Sequence, residues 1–302
     1  AKVNISDGIE KILNTNYFYV NESYSSGEID SIFSKTVAEN IPVINDGELV
    51  EIIRKHNFYD KKTSLSKPSL NNPVVIMAGG KGIRMGPFTR ILPKPLIPIG
   101  KKAVIEIIMD GFASYGMKKY FISINHKGRM IKAFFADHSN NYKIEYLDED
   151  KPLGTAGGLQ YLSGIIEDTI FVSNCDIIIN GDYSDMLEFH KKSENILTIV
   201  ASMQHQVIPY GVCEIENEGE LKTIIEKPEY NHLVNTGMYI IEPKALEAIP
   251  KNEFYQMTDL INDLKVQGEK VGVYPISESK WTDIGEWNKF EQSMENLIDR
   301  FN

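Results

Sequence analysis

The sequence predicts an α/β fold built on a doubly wound, mostly parallel sheet, with a small α+β module ahead of it. Three observations lead there. From Val74 onward, short apolar runs alternate with helically spaced segments, the pattern of strands joined by crossover helices. The first run, Val74–Met77, enters a glycine-rich turn, Ala78-Gly79-Gly80-Lys81-Gly82, as in open sheets that bind ligands at the carboxyl ends of their strands. Before it, residues 1–60 carry one helix and a strand pair, and residues 61–73 are polar, with two prolines and no periodicity. That stretch reads as a linker, leaving 74–302 as the main domain.

The elements follow in order. Tyr17-Phe18-Tyr19-Val20 is a short β-type run. Ile29, Ile32, Phe33 and Val37 recur at helical spacing and predict a helix over 28–40. Ile41–Ile44 is a strand, Asn45-Asp46-Gly47-Glu48 a hairpin-type turn and Leu49–Ile53 a second strand. Beyond the linker and Val74–Met77, helices are expected at 104–113, 130–135, 156–162 and 186–192. Strands are expected at 120–124, 143–147, 169–173 and 196–201. Segments 210–216, 221–226 and 236–241 read as an antiparallel insertion, and a helix over about 284–299 closes the chain.

Composition narrows the function classes. The chain has 302 residues, enough for a sizeable core, and its net charge of −10 argues against nucleic-acid or anionic-membrane partners. No apolar run approaches a bilayer span, and no signal-peptide pattern opens the chain. It begins Ala1-Lys2 without an initiator Met, as expected of a piece of a longer protein. Cys175 and Cys213 stand far apart, outside any CxxC spacing, which suits reduced thiols and a cytoplasmic compartment.

The chemistry is concentrated after the first strand of the main domain. Glycines let backbone N–H groups converge on a polyphosphate, and Arg84 adds a fork of donors suited to its oxygens. No Gly-Lys-Ser/Thr ends the loop, so it is not a Walker A motif. A dinucleotide oxidoreductase would need an acidic residue at a strand end about 20 residues on, where 99–110 reads as loop and helix.

The continuation through Pro87, Thr89, Pro93, Lys94 and Pro95 resembles the sugar-1-phosphate nucleotidyltransferase family. Its motif reads A-G-G-x-G-(S/T)-R-(L/M)-x-P-x-T-x-x-x-P-K-P, and Ala78, Gly79, Gly80, Gly82, Arg84 and Met85 match its first half. Ile83 departs from it, standing where a Ser or Thr is usual. The resemblance implies a nucleotide-diphospho-sugar transferase fold, Rossmann-like, a nucleoside triphosphate and a hexose 1-phosphate as substrates, and Mg²⁺ as cofactor. It assigns Arg84 to the leaving pyrophosphate, and Lys94 to the α-phosphate and the sugar phosphate. Asp176, ending the apolar strand Val172-Ser173-Asn174-Cys175, and Asp283, in Trp281-Thr282-Asp283-Ile284-Gly285, become the metal ligands. Glu149 and the stretch Leu153-Gly154-Thr155-Ala156-Gly157-Gly158 match the segment around base and ribose. Asn125 and Asn174 join the nucleotide side. Tyr210-Gly211, Glu226-Lys227 and Asn235-Thr236 match the sugar-phosphate side.

Ile41–Val50 further resembles the second half of a CBS domain, so residues 1–60 are read as a partial CBS-like module. Three roles are open to it: packing in a homo-oligomer, regulation, or an adenosine-type ligand at a complete CBS pair. Its place before such a transferase resembles the glucosamine-1-phosphate guanylyltransferases of bacterial legionaminic acid biosynthesis. That implies GTP and glucosamine 1-phosphate. Mannose-1-phosphate guanylyltransferase and hexose-1-phosphate uridylyl- or cytidylyltransferase remain alternatives, as does a non-catalytic paralogue that binds nucleotide sugars.

Overall fold

The computed structural model describes residues 18–22, 24–35, 40–45, 47–54, 58, 69–82, 85–86, 88–136 and 142–285. Two compact units divide the chain, Ala1–Lys67 and Pro68–Asn302. The expected linker residues 61–68, the motif residues Ile83, Arg84 and Pro87, Tyr17, and all but the first two residues of the expected closing helix lie outside the described residues.

The first unit contains α1 (Ser26–Lys35), β1 (Asn40–Asn45) and β2 (Glu48–Arg54). The helix starts two residues earlier than expected because the Ser25 hydroxyl accepts from the Glu28 N–H at 3.2 Å, satisfying a donor that the first turn leaves open. Ile29 and Phe33, one turn apart, are buried with Val20, Ile41, Val43 and Ile53. β1 and β2 pair antiparallel, Ile41 opposite Ile53.

The second unit begins with β3 (Val74–Met77), the short pair β4 (Pro98–Ile99) and β5 (Lys102–Ala103), and α2 (Val104–Ala113). Then come β6 (Lys119–Ile124), α3 (Gly128–Ala136), β7 (Lys143–Asp148), β8 (Ile170–Asn174) and β9 (Ile177–Ile179). The chain continues through α4 (Tyr183–Lys192), β10 (Leu197–Val207), β11 (Gly211–Ile215), β12 (Leu221–Glu226) and β13 (Glu229–Ile241). α5 (Met257–Val266), β14 (Val271–Ile276) and β15 (Trp281–Asp283) complete it.

The fold is the α/β architecture expected. Its main sheet has the order β14-β10-β13-β8-β3-β6-β7. β3 lies parallel to both β6 and β8, while β13 runs antiparallel to β10 and β8. Strands from the middle of such a sheet are buried on both faces, and β3 accordingly is an unbroken apolar run. One face is covered by buried side chains of α2, α3 and α4, among them Phe112, Ile131 and Met186. The other is covered by α5 and two 3₁₀ turns, through Leu260, Leu159 and Leu246. The chain leaves β3 to neighbours on opposite sides, so a crevice opens at its carboxyl end, beside Gly79.

Three expectations need correction. Segment 236–241 is not part of an antiparallel insertion: it is the inner half of β13, whose last six residues are buried in the main sheet. The other two segments, 210–216 and 221–226, form the β11–β12 hairpin outside the main sheet. Segment 156–162 forms a 3₁₀ helix over Gly157–Leu162, not an α-helix. The N–H groups of Ala156 and Gly157 both donate to Tyr255 O, at 3.0 and 3.1 Å, which anchors the entry to another strand of chain. Finally, α5 and β14 fall where sequence reasoning placed no element. No helix among the described residues is long and apolar enough to cross a membrane.

Candidate active site at the carboxyl end of the sheet

A cleft of about 380 Å³ opens beyond β3 and β8, lined by Gly79, Gly80, Gly82, Lys94, Asn174 and Asp176 among others. Two hollows of about 440 and 460 Å³ lie elsewhere, one lined by Asp182, Asp185, Glu188 and Lys280, the other by Lys191, Glu194, Glu242, Lys244 and Glu269. Of these three, the cleft at β3 is the one that the glycine-rich turn lines, so its backbone donors and Lys94 make it the candidate site for a phosphate ligand.

One wall is the glycine-rich turn. Gly80 has open space where a side chain would stand, as a backbone contact to phosphate requires. Gly82 has φ +62°, and a Cβ there would meet Thr89 at 3.0 Å and Lys94 at 3.2 Å. The turn is fastened by the Thr89 hydroxyl, which donates to Gly82 O at 2.9 Å. Lys127 buttresses the same loop from outside, donating to Thr89 O and Arg90 O at 2.7 and 2.9 Å.

Lys94 sits in a single 3₁₀ turn between Pro93 and Pro95, which restrict the backbone on both sides. The residue is buried. Its ammonium donates to Asp176 Oδ2 at 2.5 Å and to Gly285 O at 3.2 Å. Asp176 follows β8. Asp283 is brought beside it because β15 pairs antiparallel with β9, Asp283 opposite Ile177. The Ile284 N–H donates to Asp176 O at 2.9 Å, and the Gly285 N–H to Asp283 Oδ1 at 2.7 Å. A Cβ on Gly285 would stand 2.7 Å from Asp283 Oδ1, 3.1 Å from Asp176 Oδ2 and 3.3 Å from Lys94 Nζ. Two carboxylates and one ammonium therefore surround one backbone point, and glycine is what lets them do so.

This donor set suits a hard divalent cation such as Mg²⁺, which is usually held by one or two carboxylates and completes its shell with water and substrate phosphate. No group of three or more His, Cys, Asp or Glu that could hold a metal ion occurs among the described residues. Beside Asp176, burial and then the Asp176 charge push the Cys175 thiol up to about 12. It stays a neutral, buried thiol.

The floor is built around Glu149. Its carboxylate accepts from the Ser123 hydroxyl and, at 3.0 Å, from the Leu153 N–H. Asn125 Nδ2 donates to Glu149 O at 2.6 Å. A Cβ on Gly79 or Gly158 would come within 3.4 or 2.6 Å of Glu149 Oε1. Glu149 thus supports the floor from beneath, with its carboxylate already occupied. Gly154, at φ +84°, lets the next stretch turn so tightly that a Cβ would lie 2.6 Å from Tyr255 O. Ala156 is fully buried and Thr155 is exposed at the rim.

The residues matched to the sugar side divide. Gly211 and Glu226 are partners in the β11–β12 hairpin, and the Lys227 N–H donates to Tyr210 O at 3.2 Å. None of these four lines the cleft. Thr236 is buried, donating to Val200 O at 2.7 Å where the β10–β13 register shifts; its hydroxyl stabilises that bulge. Asn235 donates to the Tyr239 hydroxyl at 2.8 Å and accepts from the Gly237 N–H at 3.0 Å. Gly237, at φ +89°, lies against the Asn174 side chain, and this joins the β13 arm to the cleft. Arg84 lies outside the described residues.

A further wall has no counterpart in the motif reading. Phe254 and Gln256 line the same cleft as the glycine-rich turn. They are held by Tyr255, whose N–H donates to Leu153 O at 2.9 Å. Their stretch, Asn252–Gln256, has no periodicity or motif spacing that would single them out.

Comparison with known proteins decides the family. The nucleotidyl transferase family profile matches residues 73–300. The chain belongs to the nucleotidyl transferase family. It is 30% identical over 248 residues to UTP–glucose-1-phosphate uridylyltransferase from Synechocystis, covering 75% of this chain and 63% of that one. It is 27% identical over 230 residues to mannose-1-phosphate guanylyltransferase from Mycobacterium tuberculosis, covering 74% and 64%. The chain thus spans less than two thirds of the length of these transferases. Among solved structures, HddC from Yersinia pseudotuberculosis superposes with a TM-score of 0.59 at 24% identity, over 74% of this chain and 99% of that one, which bears on the fold of the transferase unit alone.

Proposed function

We propose that the protein is a sugar-1-phosphate nucleotidyltransferase, joining a nucleoside triphosphate to a hexose 1-phosphate to give a nucleotide sugar and pyrophosphate. The observation that carries this reading is the meeting of Lys94, Asp176 and Asp283 around Gly285, at the open end of β3 and beside the glycine-rich turn. A sugar-phosphate oxygen attacks the α-phosphorus, the α–β bridging P–O bond breaks, and its electron pair leaves with pyrophosphate. Both reactants are anions, so positioned cations and backbone donors supply most of the acceleration. Lys94 neutralises the α-phosphate and the incoming phosphate. Before substrate arrives it is balanced by Asp176, which keeps a buried ammonium from standing alone. Asp176 and Asp283 would hold Mg²⁺, which would supply further positive charge at the phosphates. Arg84 takes the leaving pyrophosphate, on the strength of the motif.

The finer assignment is GTP and glucosamine 1-phosphate, serving legionaminic acid biosynthesis in the cytoplasm. It rests on the Leu153–Gly158 stretch and on a partial CBS-like module in residues 1–60, joined by 61–73 to the transferase domain 74–302. The module regulates or helps form a homo-oligomer, and an adenosine-type ligand would need the complete pair. The named relatives divide between uridylyl and guanylyl transfer, so the base is an experimental question. Pyrophosphate release is measured with five nucleotides against glucosamine, mannose and glucose 1-phosphates, in Mg²⁺. GTP with glucosamine 1-phosphate should be fastest. Preference for another pair would replace the finer assignment, and nucleotide-sugar binding without turnover would mark a non-catalytic paralogue.

A further inference from the structure

We infer that Phe254 and Gln256 form a base-reading wall, with Gln256 presenting an amide N–H₂ that selects a nucleobase carrying a keto acceptor over one carrying an amino donor. This deepens the transferase reading and rests on it for the identity of the ligand. Both residues line the cleft alongside Pro152, Gly154 and Thr155. Phe254 is 61% exposed although it belongs to a well-fastened segment. An aromatic ring displayed at the rim of a nucleotide-sized cleft gives a base a face to stack on.

The Gln256 amide oxygen faces the Thr155 hydroxyl. Thr155 Oγ1 accepts from the Met257 N–H at 2.8 Å. The same hydroxyl has one proton to donate, and its acceptor is Gln256 Oε1 at 3.0 Å. The amide oxygen is thereby engaged with Thr155. Its Nε2 group has no partner among the described residues and remains as a donor at the cleft. The segment cannot easily drift, because Tyr255 bonds Leu153, Ala156 and Gly157 through its backbone, and the Gln256 N–H is held by Asp259 at 2.9 Å. A fixed donor pairs with O6 of guanine or O4 of uracil or thymine. Against the exocyclic amines of adenine and cytosine it meets another donor, and a buried donor without a partner is costly.

The test uses the full chain and measures binding and turnover separately. Direct binding of GTP, UTP, ATP and CTP is followed by calorimetry for wild type, Gln256→Glu, Phe254→Ala and Phe254→Trp; turnover is followed by pyrophosphate release. Glu keeps an acceptor for the Thr155 hydroxyl but replaces the donor by a carboxylate. Wild type should favour a keto base, and Gln256→Glu should lower the ratio of keto to amino affinity about tenfold or more. Phe254→Ala should weaken all four about fivefold or more, with Phe254→Trp close to wild type. Retained selectivity in Gln256→Glu, or a wild type that prefers ATP or CTP, overturns the inference while leaving transfer itself intact. Selective binding that Gln256→Glu erases, without turnover by any pair, supports the wall and instead sinks the transferase reading. Absence of nucleotide binding overturns both.

Discussion

At the scale of single residues, the site is governed by what each charge does before substrate is present. Lys94 and Asp176 are both largely buried, with side-chain exposures of 10% and 18%. Removing one partner of such a pair leaves an uncompensated charge, at about 3–5 kcal/mol. Asn is therefore a better probe than Ala at Asp176, since it keeps a hydrogen-bond acceptor for Lys94. The adjacent thiol gives a separate check. Cys175 is buried with its pKa raised, whereas Cys213 is exposed on β11. Native alkylation at pH 8 followed by mass spectrometry should modify Cys213 and spare Cys175 until denaturant is added. Rapid labelling of Cys175 in the native protein would contradict the buried position assigned to it. Lys94, Asp176 and Asp283 were legible in the sequence because each stands at a marked place: between two prolines, after an apolar strand, and in a Trp-Thr-Asp-Ile-Gly run. Gln256 was not legible, since its role depends on a hydroxyl 101 residues away in the chain.

At the scale of elements, the cleft depends on the clamp between residues 153–157 and 255–257. Gly154 is its tightest point, with left-handed φ and backbone where a side chain would project. Gly154→Ala combines a strained conformation, about 1–2 kcal/mol, with a clash against Tyr255 O. The clamp should open, lowering the melting temperature by several degrees and weakening nucleotide binding. An unchanged melting temperature and affinity would show that the clamp does not shape the site. Strand–helix alternation was readable through most of the sheet, because buried strands and amphipathic helices differ in period. The place of β13 was not. Its inner half looks like any buried strand, and its antiparallel direction is set by pairing with β8 and β10, partners distant in sequence. α5 had its signal in Met257, Leu260 and Leu264, spaced three and four apart and all buried. The glycine-bearing stretch 156–162 carried helical spacing too, yet its first N–H groups are captured by Tyr255.

At the scale of the whole molecule, a chain with net charge −10 sets one buried ammonium, Lys94, and a glycine-rich turn among carboxylates at the open end of its sheet. The proposed substrates are both anions, so Lys94, the backbone donors of the turn and a cation held by the carboxylates would have to receive them together. The division into two units at Lys67/Pro68 falls inside the stretch 61–73 that polar composition marks. The reading proposed for this site is Mg²⁺-dependent nucleotidyl transfer. The most direct measurement is pyrophosphate release by the full chain with a nucleoside triphosphate, a hexose 1-phosphate and Mg²⁺, comparing wild type with Asp176→Asn after matching their melting temperatures. Release should require both the sugar phosphate and Mg²⁺, with a loss of about a hundredfold or more in the variant. Release by Asp176→Asn at the wild-type rate, or none from wild type with any pair, would contradict it.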